Sequence, residues 1–445
     1  MKRKATEKKA DDGHENGNGG APSDPGVDPL LDTSATAWIN VLGAFFVLFN
    51  SWGIANCWGS FQSYYAINQL SFFSQSEIAW IGSLQIFFVL FPGALVGALF
   101  DRGYFRHILY TAFFLTTFGM FMTSLASNYY QFILAQGVCV GLGLGLGFIP
   151  AISCCLTYFH RRRGLAQGVV ATGSSIGSVV YPILLNNLYY KVGYPWAVRI
   201  MAFIVLGTYS VALFTMKPRK VTKPPGPFLD LPAFCETRYV LFVIGLFFGF
   251  WTLYTPFYFI ESFSKFHHLD ANLINYLLAI INATSTFGRI IPNYLADSIG
   301  AIRVLAVATT LSGGFLFVWI GCTTEAGIIV FCLIYGFVSG GFVSLGGPAL
   351  ANLTPDMSKI GRRLGQAFTL ISFALLTGVP VSGAVLDSSG YTACASFAGA
   401  IVLVGACFMW ASCIDLRKLS VAMHIRHKKD STNIQNAESV RSTEL

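Results

Sequence analysis

The chain has 445 residues, of which 54% are hydrophobic and only 11% are charged, and its formal net charge is +8. Soluble globular domains carry about 25% charged residues, so this composition excludes a protein whose whole surface faces water. The basic residues lie in short stretches between apolar runs, where they set membrane topology and form no nucleic-acid surface. We therefore predict an integral membrane protein in a lipid bilayer.

The two ends of the chain are polar, and we predict disordered cytosolic tails at 1–35 and 415–445. No apolar core of a signal peptide precedes the first apolar helix. The ten cysteines show no paired spacing beyond Cys154 and Cys155. They are typical of small apolar packing residues, so we predict no disulfide, no metal and no cofactor.

Membrane-crossing helices are the dominant pattern, because a helix needs about 20 apolar residues to cross the hydrocarbon core. Twelve stretches meet this requirement, and they are called spans 1 to 12 in chain order. The predicted fold is an all-α membrane protein of two six-helix, pseudo-symmetric bundles. The predicted spans are 37–57, 78–99, 107–127, 130–153, 164–187, 195–216, 238–260, 272–296, 302–322, 326–350, 364–386 and 391–413.

The distribution of Lys and Arg predicts the orientation. An even number of spans puts both termini on one side, and 25 of the 29 basic residues then lie on that side. The opposite loops hold only Lys191 and Lys265, whereas Arg199 and Arg289 fall inside spans. By the positive-inside rule both termini are cytosolic. The plasma membrane is the expected location, with the vacuolar membrane as the alternative.

The chain repeats itself around a basic, Pro-rich linker at 217–237, which separates an N-terminal bundle (36–216) from a C-terminal bundle (238–414). GALFDRGYFR (97–106) is echoed by NYLADSIGAIR (293–303). RRRGLAQG (161–168) is echoed by GRRLGQAF (361–368). Parallel repeats of this kind are one of the known designs of carriers.

GALFDRGYFR resembles the loop signature of the major facilitator superfamily, with one residue missing before its second Gly and Ser298 replacing the basic residue of the second copy. The membrane region also resembles fungal members of the monocarboxylate porter family, as in AWINVLGAFFVLFNSWGIANCWGSFQSYY (37–65) and RRRGLAQGVVATGSSIGSVVYPILLN (161–186). This resemblance implies alternating access by two bundles. It leaves the solute open, since the branch is similar to carriers of monocarboxylates, riboflavin and fungal secondary metabolites.

Arg289 is the most informative single residue. It lies eight positions before Asp297, about 12 Å inside the end of span 8. A permanent charge at that depth predicts a side chain that faces a water-filled cavity and binds a carboxylate or similar anion. The alternative is a structural Arg that pairs within the bundle or reaches the interface. The family resemblance supports the anion site, because monocarboxylate transporters keep an Arg there.

Two departures from that family concern proton coupling. Ser285 stands where animal-type members carry Asp, and Asn56 stands where they carry Lys. No Asp, Glu or His lies deep in a predicted span, and proton relays normally use such groups. We therefore expect facilitated diffusion, anion exchange, or co-transport in which the substrate carries the proton, with Glu261 as the alternative proton site.

Other polar residues within the spans are candidates for lining the cavity, although each alone could equally form a helix–helix hydrogen bond. As a group they predict a mostly apolar, aromatic cavity with few polar anchors. Pro256 predicts a kink in span 7. The candidates are Asn50, Asn56, Gln85, Gln136, Ser174, Tyr181, Tyr254, Tyr258 and Ser339.

Charges at the cytosolic ends of the spans predict a gate. Asp101 should meet the start of span 11 with Arg362 or Arg363, and Asp297 should meet the start of span 5, because helix N-termini attract carboxylates. The alternative is that the arginines only set topology. The predicted gating residues are Asp101, Arg102, Arg106, Arg161, Arg162, Arg163, Asp297, Arg303, Arg362 and Arg363.

An enzyme is not predicted, because the chain contains no GxxxxGK[ST] or HExxH motif. We expect a monomeric transporter of a small organic anion, either a monocarboxylate or a carboxylated secondary metabolite, with a preference for export or exchange. The alternatives are an importer of a neutral or vitamin-like solute such as riboflavin, and a non-transporting nutrient sensor on the same scaffold.

Overall fold

A computed structural model describes residues 34–73, 75–218 and 228–414 of the chain. The predicted tails, apart from Ser34 and Ala35, and the middle of the linker lie outside the described residues. The described chain is helical almost throughout, as a bilayer requires of a backbone that must satisfy its own hydrogen bonds.

The first half consists of spans 1 to 6. Span 1 is α1 with α2, span 2 is α3 with α4, span 3 is α5, and span 4 is α6, a π-helix and α7. Spans 5 and 6 are the two parts of α8. The helices are α1 Ala35–Asn56, α2 Trp58–Ile67, α3 Gln75–Leu90, α4 Gly93–Asp101, α5 Phe105–Thr123, α6 Tyr129–Phe132, the π-helix Ile133–Val140, α7 Gly141–Tyr158 and α8 Arg163–Thr215.

The second half repeats this arrangement after a 3₁₀ turn at Leu231–Cys235. Span 7 is α9 with α10, spans 8, 9 and 10 are α11, α12 and α13, and spans 11 and 12 are the two parts of α14. The helices are α9 Thr237–Thr252, α10 Thr255–Phe266, α11 Ala271–Ile299, α12 Ala301–Trp319, α13 Glu325–Asn352 and α14 Ile360–Cys413, the last preceded by a 3₁₀ turn at Met357–Lys359.

The two longest helical stretches each cross twice. Among the described residues, eight stretches are long and apolar enough to span a membrane, and two of them hold 53 and 57 residues. At 1.5 Å per residue each is about 80 Å long, far more than the ~30 Å hydrocarbon core. Each folds back at a glycine with positive φ, Gly193 (77°) and Gly390 (79°). Eight stretches, two of which cross twice, account for ten spans. The more polar α5 and α11 bring the number to the twelve predicted.

Several spans are interrupted near their middle. Span 1 breaks at Cys57, and span 7 breaks between Thr252 and Thr255. The kink predicted from Pro256 is confirmed, since this residue lies in the first turn of α10, directly after the break. The carbonyl of Leu253 in this break accepts a 2.5 Å hydrogen bond from the Tyr335 hydroxyl. Discontinuous helices of this kind form the solute sites of many carriers.

The apolar core shows where the bundles meet. We call the face on which both ends of the described chain lie the inner face, and the opposite one the outer face. One continuous cluster of buried side chains runs through the N-terminal bundle and into the inner half of the C-terminal bundle. The outer half of the C-terminal bundle has a separate cluster, which includes Ile260, Trp319 and Phe331. The bundles are therefore packed together at the inner face.

Candidate substrate site and gate

Arg289 lies where the two bundles meet, and only 6% of it is exposed. Its Nε donates to Ser285 Oγ (3.2 Å) on the same helix, and its Nη1 donates to the Ala171 carbonyl (2.9 Å) and to Ser174 Oγ in span 5. The prediction that Arg289 faces a water-filled cavity does not hold in this conformation. The physical reason is that span 5 packs directly against span 8 at this level and covers the guanidinium.

No acid among the described residues neutralises the charge of Arg289. No described carboxylate forms an ion pair with the guanidinium, and its Nη2 donates no hydrogen bond to any described residue. A buried charge without a counter-ion is costly, and a bound anion would supply the missing partner.

A line of polar side chains connects Arg289 to the break in span 1. Asn56 Nδ2 donates to Ser178 Oγ (2.9 Å), and Ser178 Oγ donates to the Ser174 carbonyl (2.7 Å). Ser174 in turn accepts from Arg289. Asn56 is half-buried. Spans 1, 5 and 8 therefore bring polar groups together at one place, and their role as substrate anchors remains a proposal.

Aromatic side chains surround this place and come from both bundles. Trp52 of span 1 and Tyr254 of span 7 have parallel rings, with centroids 6.4 Å apart and planes inclined by 7°. Phe148 meets Trp52 edge-on at 5.8 Å and Phe368 of the other bundle at 5.5 Å. Tyr254 lies within electrostatic range of Arg289. Sequence reasoning missed Trp52, since nothing distinguishes one Trp within an apolar run.

Asn50 and Tyr181 do not line a cavity in this conformation, contrary to the prediction. Both are fully buried inside the N-terminal bundle. The Tyr181 hydroxyl donates to Asn50 Oδ1 (2.5 Å), and Asn50 Nδ2 donates to Thr208 Oγ1 (2.9 Å). These hydrogen bonds link spans 1, 5 and 6 and give each of the three polar side chains a partner. They form the helix–helix hydrogen bonds that were the alternative interpretation.

Gln85 and Tyr258 occupy different environments. Gln85 is buried in span 2, and neither atom of its amide has a hydrogen-bond partner among the described residues. Tyr258 is 43% exposed and lies on one stripe of α10 with Tyr254, Glu261 and Lys265. A polar stripe along a membrane helix is expected to face a water-filled space. Both residues remain predicted site residues.

Asp101 joins the two bundles at the inner face. Its Oδ1 accepts from the Gly361 N–H (2.9 Å), and its Oδ2 accepts from the backbone N–H (2.9 Å) and the Nε (3.2 Å) of Arg362. The side chains of Asp101 and Arg362 are almost fully buried. This is the contact with the start of span 11 that the repeated motif predicts, and its role as a gate remains a proposal.

Asp297 makes the equivalent contact on the other side of the molecule. It accepts from the Gly164 N–H (2.6 Å) and the Leu165 N–H (2.9 Å) at the start of span 5. Two lines of contact between the bundles therefore start at the inner face. We call the contact of span 2 with span 11 the first seam, and the contact of span 5 with span 8 the second seam.

Arg363 points away from Asp101 and anchors the end of the linker. Its Nε donates to Asp230 (2.8 Å), its Nη atoms donate to Glu236, and Nη1 also donates to the Leu353 carbonyl. Lys359 pairs with Asp230 at 3.5 Å. Sequence reasoning missed this cluster, because the acids lie in a linker with no periodicity to mark them.

The Asp230 carboxylate of this cluster stays charged at physiological pH. Burial would raise the pKa of Asp230, but the hydrogen bond and charge of Arg363, helped by Lys359, outweigh burial and lower it. With a lowered pKa, the carboxylate stabilises the fold above its unfolded pKa of ~3.9, and that contribution is lost only as the pH falls below this value. Acidification to about pH 5 should therefore leave this contact intact.

The linker also reaches back to the N-terminal bundle. The guanidinium carbon of Arg102 lies 3.4 Å from the centroid of the Phe228 ring. We expect Phe228→Ala to shift the equilibrium towards an open inner face by about two- to fivefold, since an exposed cation–π contact contributes ~0.5–1 kcal/mol. Faster hydrogen–deuterium exchange at the start of α14 would report this. Leu229→Ala, at the equally exposed neighbour, is the control, and an equal effect would contradict the assignment.

The remaining predicted gating arginines also lie at the inner face. Arg106 Nη1 donates to the Leu213 carbonyl (3.2 Å) of its own bundle, and Arg163 Nε donates to the Phe159 carbonyl (2.6 Å). Arg161, Arg162 and Arg303 are exposed at the inner face. The structure places these five near the gate, and their predicted part in it remains a proposal.

Comparison with known proteins identifies the class. The sequence model of the Major Facilitator Superfamily matches residues 38–355. The chain therefore belongs to this superfamily of membrane transporters, and it is a multi-pass transporter and not an enzyme. A solved structure of the human organic anion transporter MFSD10 has a TM-score of 0.63 at 14% identity, covering 84% of this chain and 98% of that one. At such identity the likeness shows the fold alone.

Curated relatives are fungal transporters. The Aspyridones efflux protein apdF of Emericella nidulans is 40% identical over 386 residues, which is 86% of this chain and 79% of that protein. The Fujikurins efflux protein of Gibberella fujikuroi is 40% identical over 388 residues, covering 86% and 83%. The Agnestins efflux protein AgnL12 of Paecilomyces divaricatus is 35% identical over 382 residues, covering 86% and 88%.

Proposed function

We propose that this transporter exports an organic anion, such as a carboxylated secondary metabolite, by alternating access. The single observation that carries the proposal is Arg289, a buried and permanent positive charge between the bundles with no acid partner among the described residues. An anionic substrate would complete this site. Relatives that are named efflux proteins support the direction.

The contacts of Arg289 supply a reason for export. In the present conformation, Ala171 and Ser174 of span 5 accept hydrogen bonds from its Nη1. Opening of the inner face must part spans 5 and 8, so Arg289 loses both acceptors and needs another. A substrate anion from the inner side replaces them. When the second seam closes again, span 5 competes for the guanidinium, and the anion is released to the outer side.

This cycle assigns the inner face to the cytosol, as the distribution of basic residues predicts. The plasma membrane is the proposed location, because a solute exported there leaves the cell. Arg289 remains positive throughout the cycle, because an Arg does not lose its proton in a protein. We therefore propose exchange or facilitated export, or passage of the proton with the substrate itself.

The test uses the purified full-length chain and a panel of carboxylic acids, each paired with its uncharged carboxamide. We expect at least one acid to raise the melting temperature and its amide to have little effect. Arg289→Gln should weaken binding of that acid by about 10- to 100-fold, since a hydrogen bond to a charged group contributes ~1.5–3 kcal/mol. Arg289→Lys keeps the charge without the planar fork and should fall between the two.

The matched control is Arg199→Gln. Arg199 lies inside span 6 at its outer end, where it donates to Ser124 Oγ (3.3 Å) and its guanidinium lies 5.1 Å from the Trp196 ring. Loss of this Arg should leave acid binding unchanged. Acids and amides that bind equally well to the wild-type protein would refute the anion site without any mutant. Binding without flux in proteoliposomes would favour the sensor, and inward flux alone would favour an importer.

A further inference from the structure

We propose that Thr369 is a gating residue, and that its hydroxyl ties closure of the inner face to a break in span 2. The break lies at Phe91 and Pro92, between α3 (Gln75–Leu90) and α4 (Gly93–Asp101). Thr369 belongs to span 11, so its contact with the break joins the two bundles within the first seam. The inference does not depend on the nature of the substrate, and its test is therefore separate from that of the anion site.

The hydroxyl of Thr369 satisfies two backbone groups of span 2 at once. Its Oγ1 donates to the Phe91 carbonyl (2.9 Å) and accepts from the Ala94 N–H (2.9 Å), which is possible because a hydroxyl is both donor and acceptor. In a continuous α-helix the Ala94 N–H would donate to the Leu90 carbonyl, and the Phe91 carbonyl would accept from Leu95. Neither of these two bonds is made among the described residues. One hydroxyl of the opposite bundle therefore replaces two bonds of the helix itself.

The surroundings of Thr369 make these bonds costly to lose. Thr369 lies about 13 Å from the start of α14. The rings of Phe91 and Phe373 beside it have centroids 6.0 Å apart and are 39% and 45% exposed. Phe373 lies about 140° around the helix from Phe368, which meets Phe148 between the bundles, so Phe373 faces the bilayer. Lipid offers no hydrogen bonds to an unpaired backbone group, so span 2 must re-form its own bonds when the first seam parts.

The repeat within the chain supplies an internal comparison. Gly361 and Gly164 are equivalent, because each donates its N–H to the repeated Asp at the inner face. The counterpart of Thr369 in span 5 is therefore Thr172. Span 8, which faces it, is one uninterrupted helix through the positions that correspond to the break. Thr172 Oγ1 donates to the Val169 carbonyl (2.7 Å) of its own helix. The hydroxyl thus bonds to the opposite bundle only in the seam where the facing span is broken.

The experiment measures hydrogen–deuterium exchange of the purified full-length chain at the start of α14, where Asp101 binds two backbone N–H groups while the inner face is closed. Thr369→Val keeps the shape and removes the hydroxyl. It should raise the open population by about tenfold or more, since two backbone groups lose their partner in the closed state only. Thr369→Ser keeps the hydroxyl and should stay within about threefold of the wild-type protein. The matched control is Thr377→Val, since the Thr377 hydroxyl donates to the Phe373 carbonyl (2.8 Å) of its own helix.

Pro92→Ala separates a gating role from that of an ordinary hydrogen bond between helices. Pro92 lies between the two backbone groups that Thr369 binds, and a Pro both lacks an N–H and disturbs the preceding turn of a helix. Alanine favours a continuous span 2, so this variant alone should raise the open population by about threefold or more. In its background the helix can make its own bonds in either state, and Thr369→Val should add less than about threefold. A hydroxyl without a link to the break would give the same factor in both backgrounds.

The outcomes are distinct. Unchanged exchange in a folded Thr369→Val protein, or a Thr369→Ser protein as open as Thr369→Val, would overturn the proposal. An undiminished effect of Thr369→Val in the Pro92→Ala background would overturn the link to the break. Faster exchange throughout both bundles, and not only at their inner ends, would show a loss of stability in place of gating. If Thr369→Val does not fold, Pro92→Ala alone decides, and exchange no faster than in the wild-type protein contradicts the proposal.

Discussion

Gly97→Ala is expected to abolish transport and to hold the protein with its inner face open. In the first seam, a Cβ on Gly97 would overlap the carbonyl oxygen of Gly361, and one on Gly361 would lie 2.5 Å from the carbonyl oxygen of Gly97. One turn further, a Cβ on Gly93 would lie 2.7 Å from the Gly365 carbonyl oxygen. Backbone atoms cannot move aside as side chains do, so the two helices would have to separate.

The added methyl group raises the free energy only of the state in which the inner face is closed. Overpacking costs ~1–3 kcal/mol even where side chains can adjust, and 3 kcal/mol changes a population ratio by about 150-fold. With the inner face open, the seam is parted and the methyl group meets nothing. The ratio of the two states therefore moves strongly, whereas expression and folding in the open state should be retained. A carrier confined to one state cannot complete a cycle.

Flux in proteoliposomes and hydrogen–deuterium exchange together test this expectation. Flux should fall below about a tenth of the wild-type value. Backbone amides at the end of α4 and at the start of α14 should exchange faster. Gly207→Ala is the matched control, since Gly207 is helical and a Cβ there would meet nothing within 4 Å. Unchanged exchange in a folded Gly97→Ala protein would show that the first seam does not close the inner face.

The fold could be predicted well because the bilayer allows few alternatives. Hydropathy predicts the twelve spans, and the repeated motifs place Asp101 and Asp297 at the starts of spans 11 and 5. Of the helix breaks at Leu253 and Cys57, the one at Leu253 was predicted, because Pro256 marks it, and the one at Cys57 was not. The site was predicted less completely, because the approach of Trp52 to Tyr254 joins positions about 200 residues apart and depends on the packing of both bundles.

Arg289 occupies a position that the repeat places once in each half of the chain. Asp101 and Asp297 are equivalent in the two halves and 196 positions apart, so the counterpart of Arg289 is Gly93. In the first seam this position is a glycine that allows backbone contact with Gly365. In the second seam it is an Arg that bonds to span 5. Both seams bring backbones into close contact at glycines, since a Cβ on Gly168 would lie 2.5 Å from the Arg289 carbonyl oxygen. The second seam adds the buried guanidinium of Arg289, which is why the substrate is proposed to act there.

Asp101→Asn and Asp297→Asn are expected to open the inner face to different extents and in additive fashion. Asp101 is almost fully buried at its side chain and accepts three hydrogen bonds, one from the Arg362 guanidinium. Its loss of charge should raise the open population by about tenfold or more, since hydrogen bonds to charged groups contribute ~1.5–3 kcal/mol. Asp297 is exposed, so water and salt screen its charge, and an effect of about three- to tenfold follows.

The double variant Asp101→Asn/Asp297→Asn should show the product of the two effects. The acids lie on separate seams, and free energies of independent sites add within ~0.5 kcal/mol. Exchange rates at the start of α14 and at the start of α8 report the two seams separately. Asp387→Asn, at an exposed position near the outer end of span 11, is the control. A double variant no more open than Asp101→Asn alone would mean that the first seam closes the inner face by itself and that the second, with Arg289, follows it passively.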